Sequence, residues 1–224
     1  MAQFNQTPFQ QLLKPVNGLW HYWQFQGLPV NLNYGPLIYD YLDGIHQTII
    51  SSLLHSPRTF AFRVDLRLPA NFSVQDTAVI SRFFASLKAQ LDAADAKKER
   101  EGKRVHSHNL RYVWVREIGE YGRPHYHVLV LLNKDRYRTL GSFDAEEGNL
   151  SARVTKAWAS AVGLPLAQAD GLVHFPPKPT YTLDPSDPGF TDVLKSLFFR
   201  VSYFAKEPTK FFDRAQRSYG ASRL

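Results

Sequence analysis

From Thr59 the chain alternates strictly. Phe60, Phe62, Val64, Leu66 and Leu68 interleave with Ala61, Arg63, Asp65 and Arg67, the two-residue period of a half-buried strand, and Pro69 closes the run. The preceding segment is poor in charge and rich in aromatics, among them Trp20, Tyr22, Trp23, Phe25 and Tyr34. It leads into a stretch where Ile38, Leu42, Ile45, Ile49 and Leu53 share one side of an expected helix, which reads as a packing element. A second helix is expected from about Ser73, with Val79, Phe83, Leu87 and Leu91 at helical spacing, dissolving into an exposed charged loop, DAKKEREGKRVHSHN. Two β-rich runs, LRYVWVREI and HYHVLVLLN, flank the turn-forming GEYGRP and predict a hairpin. Asn149 to Val162 reads as a helix with Leu150, Val154, Trp158 and Val162 on one face. The proline-rich FPPKPTYTLDPSDPG is expected to hold no regular structure, since proline donates no backbone hydrogen bond. Thr191 to Lys206 is the last strong helix. Helices mixed with antiparallel strand pairs predict an α+β fold, with helices flanking an antiparallel sheet.

Composition narrows this picture. At 224 residues and 44% hydrophobic content the chain can bury one sizeable core. The division expected is an N-terminal helical and aromatic extension of unassigned role over 1–57 and a catalytic domain over 58–224. No cysteine is present, which excludes disulfides, thiolate zinc sites and cysteine nucleophiles, so any metal must use histidine and carboxylate. No run approaches the roughly 18 apolar residues of a spanning helix, and MAQFNQTPFQ lacks the pattern of a signal peptide. A soluble, cytoplasmic protein with no membrane partner is expected. The formal charge of +7 favours polyanions. Its cations gather in two runs: Lys97, Lys98, Arg100, Lys103, Arg104, Arg111 and Arg116, then Lys195, Arg200, Lys206, Lys210, Arg214, Arg217 and Arg223. A solvated charged face explains either run alone equally well.

In PHYHVLVLLN the strand period places His125 and His127 on one face, with Tyr126, Val128 and Val130 on the other. Two imidazoles two residues apart on a strand can bind one cation, although a solvent-facing or a buried hydrogen-bonded pair also fits the pattern. Hairpin pairing can bring Glu117, eight residues earlier, beside them; bonding to Arg116 or Arg123 is its alternative. Two imidazoles, one carboxylate and open positions suit Mn²⁺ or Mg²⁺ with phosphate oxygens completing the shell. His106 and His108 form a rival pair in the basic loop, without a strand to aim them. In SYFAK, helical phase removes Tyr203 from the stripe of Leu194, Leu197, Phe198, Val201 and Ala205 and sets it with Lys206 on the opposite side. A phenol is a poor nucleophile at neutral pH, and a neighbouring cation such as Lys206 can help it. An amphipathic tyrosine that packs its ring and wets its hydroxyl fits the same position.

Taken in order, the strand FRVDLRLP, the spacing E-x7-HYH and the helical YxxK resemble the HUH rolling-circle replication initiators and relaxases. The wording RYVWVREIGEYGRPHYHVLVLLN with SYFAK more closely resembles the filamentous-phage gene-two-like replication proteins and the YagK/YfjJ C-terminal domains, over about Arg58 to Arg217. The resemblance implies a sheet of about five antiparallel strands, Glu117, His125 and His127 as ligands of a divalent cation, Tyr203 as nucleophile and Lys206 as its aid. It implies a single-strand DNA nickase and strand transferase acting at an origin hairpin. Arg63, Arg104, Arg111, Arg116, Arg123, Arg200 and Lys210 are, as cations, the candidate DNA contacts. No G-x4-GK[ST] phosphate loop is present, so a host helicase is the expected partner. The competing readings are a DNA-binding regulator that keeps the initiator fold without catalysis and a metal-dependent hydrolase acting through water.

Overall fold

The computed structural model describes residues 12–13, 24–73, 76–119, 122–143, 147–208, 210 and 217–223. Trp20, Tyr22, Trp23 and Glu120 lie outside the described residues. Four two-residue strands come first, β1 (Leu12–Leu13), β2 (Gln24–Phe25), β3 (Leu28–Pro29) and β4 (Leu37–Ile38), then helix α1 (Tyr39–His55). The body follows as β5 (Thr59–Arg67), α2 (Val79–Arg100), β6 (Arg111–Ile118), β7 (Pro124–Asn133) and α3 (Leu150–Val162). It closes with β8 (Val173–His174), β9 (Thr180–Leu183), α4 (Phe190–Ser202) and β10 (Tyr219–Ala221).

Six strands form the central sheet in the order β10-β6-β7-β5-β8, with β9 also on β5, and each pairing is antiparallel. The expected count of about five becomes six because β8 and β9 share the outer edge of β5, at Asp65–Leu66 and Thr59–Phe62 respectively. The fold is α+β, with helices on both sheet faces. On one face Phe60, Phe62, Val64 and Leu66 of β5 and Tyr126, Val128, Val130 and Leu132 of β7 pack under α2 and α3. On the other, Ala61, Val113, Val115, Leu129 and Leu131 pack under α1 and α4 with Phe25, Leu28 and Leu37. Both faces of β7 are thus buried, which is why its run of Val and Leu is nearly continuous.

Three expectations from the sequence need correction. Helix α2 starts at Val79, six residues later than expected, and continues through DAKKER to Arg100. Ala, Lys, Glu and Arg are strong helix formers, and Lys97, Lys98 and Arg100 in the last turn oppose the negative end of the helix dipole. The proline-rich stretch does hold a strand: TYTL lies between prolines rather than across one, and the carbonyl of Pro179 still accepts from Arg63 N at 2.9 Å. The last helix ends at Ser202, followed by a 3-10 turn over Tyr203–Ala205. Elsewhere the punctuation matches the local chemistry. Asn149 caps α3 by accepting from Ala152 N at 2.9 Å, and Gly163 ends it at φ 75°, the left-handed conformation glycine adopts freely. No helix among the described residues is long and apolar enough to cross a membrane.

Candidate metal centre and its tyrosine

The α1/α4 face of the sheet changes character along its strands. Toward one end β5 passes from Ala61 to Arg63 and Asp65, β7 passes from Leu131 and Leu129 to His127 and His125, and β6 passes from Val113 and Val115 to Glu117. The register aligns this change: Glu117 lies opposite His125, Val115 opposite His127, and Asp65 opposite His127 on the other side. Polar groups from three strands therefore converge where the apolar core stops.

Glu117, His125 and His127 each offer a ligand atom within 4.8 Å of the others, so the group can hold a metal ion. Glu117 Oε2 lies 3.4 Å from His127 Nε2 and 4.0 Å from His125 Nε2. His127 is 6% exposed, and its Nε2 is buried without a hydrogen-bond partner. An orphaned nitrogen aimed at a carboxylate oxygen fits a cation between them. The other ring nitrogen fixes the tautomer. His127 Nδ1 lies 2.7 Å from Asp65 Oδ1, so Nδ1–H donates to the carboxylate and the lone pair stays on Nε2. Arg63 in turn grips Asp65 through Nε at 3.0 Å and Nη2 at 3.2 Å.

Charges around the group are held in defined states. Burial would raise Asp65, but the hydrogen bond from His127 and the guanidinium of Arg63 outweigh it and lower its carboxyl to about 2. Burial would likewise raise Glu117, yet the Lys210 ammonium paired with it holds it well below the usual carboxylate range. Burial lowers His125 to about 4, leaving a neutral imidazole ready to ligate at neutral pH. Burial lowers Lys210 to about 8 despite its pairing with Glu117.

Two lysines close on Glu117: Lys210 Nζ at 2.6 Å from Oε1 and Lys206 Nζ at 2.9 Å from Oε2. The 3-10 turn explains how Lys206 reaches both the carboxylate and the tyrosine. Residues three apart eclipse in a 3-10 turn, so the Lys206 ammonium lies 3.6 Å from the Tyr203 ring centre and donates to its hydroxyl. An isolated bridge between Leu37 and Lys206 ties this turn to the N-terminal segment. The Tyr203 ring stands 5.6 Å from that of His127 and 4.9 Å from that of Tyr34, with the Arg63 guanidinium 5.5 Å from its centre. Half-buried Tyr203 thus opens onto the Glu–His–His group.

The remaining candidates separate. Arg63 and Lys210 are in the cluster, Lys210 fully buried. Arg123 lines a cleft of about 480 Å³ shared with Asp65, Arg67, His125 and His127. Arg111 sits at the opposite end of β6 from Glu117, Arg116 is buried and points to the other face, and Arg104 is exposed beyond α2. Arg200 donates to the carbonyls of Lys178 and Pro177 at 2.8 and 2.9 Å, fastening α4 to the loop. The rival histidine pair is not aimed at a cation. Buried His108 places Nε2 on Asp92 at 2.9 Å and accepts from Leu110 N at Nδ1 at 3.0 Å, so both its nitrogens are engaged. Asp65 is the residue of this cluster that sequence reasoning passed over. The signal was its place as an acidic residue on the strand face it shares with Ala61 and Arg63.

The structure defines an α+β protein with a buried Glu–His–His group that can hold a metal ion beside a tyrosine. The chain belongs to the family described as the YagK/YfjJ C-terminal domain, whose model matches residues 24–222. It is 35% identical over 200 residues to the uncharacterized protein YagK of Escherichia coli (strain K12), a match spanning 85% of this chain and 96% of that one. It is 33% identical over 194 residues to the uncharacterized protein YfjJ of the same strain, spanning 82% and 93%. No solved structure matches the chain.

Proposed function

We propose that this protein is an HUH-type single-strand DNA endonuclease and strand transferase that initiates rolling-circle replication of a phage or other mobile element. The observation that carries the reading is the placing of Tyr203, with Lys206 on its hydroxyl, against the ring of His127 in the Glu117–His125–His127 group. Glu117 Oε2 and the Nε2 atoms of His125 and His127 would hold the cation. When bound, Mn²⁺ or Mg²⁺ supplies Lewis-acid polarisation of a phosphate oxygen.

The chain's own residues do the rest. The phenol of Tyr203 loses its proton to solvent, and the Lys206 ammonium stabilises the resulting phenolate. The phenolate oxygen bonds to phosphorus while the bond from phosphorus to the 3′ oxygen breaks, and that oxygen leaves with the electron pair and takes up a proton. A 5′-phosphotyrosine and a free 3′-hydroxyl result. The phosphoester is conserved, so a 3′-hydroxyl can later attack the phosphotyrosine and restore both the DNA strand and the phenol. Arg67 and Arg123 line the cleft beside His125 and His127 as the approach for the phosphate backbone, and Arg63 lies against the Tyr203 ring.

The test is incubation of the chain with Mn²⁺ and a single-stranded origin hairpin. A protein–DNA adduct that survives denaturation is expected, lost in Tyr203→Phe and in the double variant His125→Ala, His127→Ala. An adduct that persists in Tyr203→Phe would sink the assignment. A second reading, a DNA-binding regulator without catalysis, is favoured by one observation: Lys206 and Lys210 already neutralise Glu117 without a metal. It predicts DNA binding with no adduct under any divalent cation.

A further inference from the structure

A large cavity lies away from the metal group. It is an open cleft of about 670 Å³ where α2 meets the start of β6. Arg111 in the cleft lies six residue steps along β6 from Glu117, about 20 Å at the usual rise, and the aromatic wall of the cleft belongs to the other face of β6. Half-buried Tyr112 lies flat on Phe84, with ring centres 3.5 Å apart and planes at 10°. Next along the same face, the Trp114 indole covers Gly220 of β10 so closely that a Cβ there would come within 2.6 Å of it. Trp114 also meets Tyr126 edge-on at 5.9 Å. These contacts fix two flat aromatic side chains in a cleft open to solvent.

Cations rim this wall. The Arg111 guanidinium is held by the carbonyl of Arg223 at 3.0 Å and by His55 at 3.2 Å, and the Arg223 and Lys88 side chains line the same cleft. Among the described residues the one acidic side chain lining it, Asp92, is already bonded by Lys88 at 2.7 Å and by His108. Fixed π faces beside surplus positive charge fit a ligand that is flat at one end and anionic at the other. A nucleotide has that form: a base to stack and a phosphate to meet the arginines.

We infer that this cleft binds an unpaired nucleotide of single-stranded DNA, stacking its base on Trp114 and Tyr112 and meeting its phosphate with Arg111 and Arg223. The site is separate from the metal group and shares with the proposed function only the premise that the chain handles single-stranded DNA. It would grip the strand away from the point of chemistry, so its loss weakens binding without removing any group that touches the scissile phosphate.

The experiment measures fluorescence anisotropy of a labelled oligothymidylate with the full chain, together with photocrosslinking of 5-iodouracil in the same oligonucleotide and mapping of the crosslinked peptide. Crosslinks in the peptide holding Arg111 to Trp114 are expected, with affinity at least fivefold weaker in Trp114→Ala and restored in Trp114→Phe. Arg111→Gln with Arg223→Gln, a change at exposed or half-exposed positions that spares the core, is expected to weaken binding and flatten its salt dependence. Wild-type affinity in that double variant, with no crosslink in the cleft, overturns the inference. Thymidine monophosphate that displaces the strand at equal concentration overturns it too, by making a free nucleotide the ligand. Adduct formation on a short hairpin by Tyr203 is measured in parallel: its absence with the cleft crosslink intact removes the nickase reading alone, and its presence with no cleft crosslink removes this inference alone.

Discussion

Replacing Asp65 with asparagine keeps the size of the side chain and removes the charge that sets the tautomer of His127. In the native fold Asp65 Oδ1 accepts from His127 Nδ1 at 2.7 Å, which leaves the Nε2 lone pair facing Glu117. An amide can turn its NH₂ toward Nδ1, moving the proton to Nε2 and closing the nitrogen to a cation. Loss of such a partner typically costs about 10- to 100-fold in metal affinity. The effect on the fold can be worked separately. The carboxyl of Asp65 is drawn from 3.8 to about 2, and a shift of that size corresponds to about 2 kcal/mol of stabilisation at neutral pH. Its side chain is only 17% exposed, so solvent screening removes little of this. Because the folded value lies below the unfolded one, the stabilisation is present above about pH 4 and is lost as pH falls toward about 2. Calorimetric titration with Mn²⁺ at pH 7, beside thermal denaturation without metal, reads both effects for Asp65→Asn. Unchanged Mn²⁺ affinity and an unchanged melting temperature would refute the role given to Asp65.

Three further outcomes follow from the same geometry. Lys210→Met removes the buried cation 2.6 Å from Glu117 Oε1 and should cost about 3 kcal/mol in the metal-free protein, a loss that Mn²⁺ reduces by compensating the carboxylate; urea titrations with and without Mn²⁺ read it. His125 takes up a proton near 6.5 when unfolded but only near 4 in the fold. The metal-free protein should therefore lose about 3 kcal/mol as pH falls across that window, measured by denaturant unfolding at stepped pH. Gly220→Ala drives a Cβ into the Trp114 indole at 2.6 Å, detaching β10 from β6, and should expose the amides of Tyr219 to Ala221 in hydrogen exchange while those of β7 stay protected.

How far the sequence could be read depended on the distance over which each feature is encoded. The alternation of β5 and the HYH phase of β7 are local, and both stand in the structure because burying one set of side chains fixes the phase of the strand. Glu117 was legible because a short hairpin leaves little freedom of register. Asp65 was not: its meeting with His127 depends on how β5 pairs with β7, and about sixty intervening residues carry no local mark of that register. Lys210 was read as a cation for DNA and lies buried on Glu117, a long-range contact made from a segment without periodicity. Strand β9 escaped notice because the prolines around it are a strong local signal, whereas the open edge of β5 that recruits TYTL is visible only once the sheet is assembled. Helical phase grouped Tyr203 with Lys206; the 3-10 turn brings them into direct contact.

The central claim is that Glu117, His125 and His127 hold one divalent cation beside Tyr203. Anomalous diffraction from crystals grown with Mn²⁺ tests it most directly. A single strong peak is expected within coordination distance of Glu117 Oε2 and both Nε2 atoms, with the Lys206 ammonium moved off Glu117. Saturating Mn²⁺ that gives no peak there, with Lys206 still seated on the carboxylate, would contradict it.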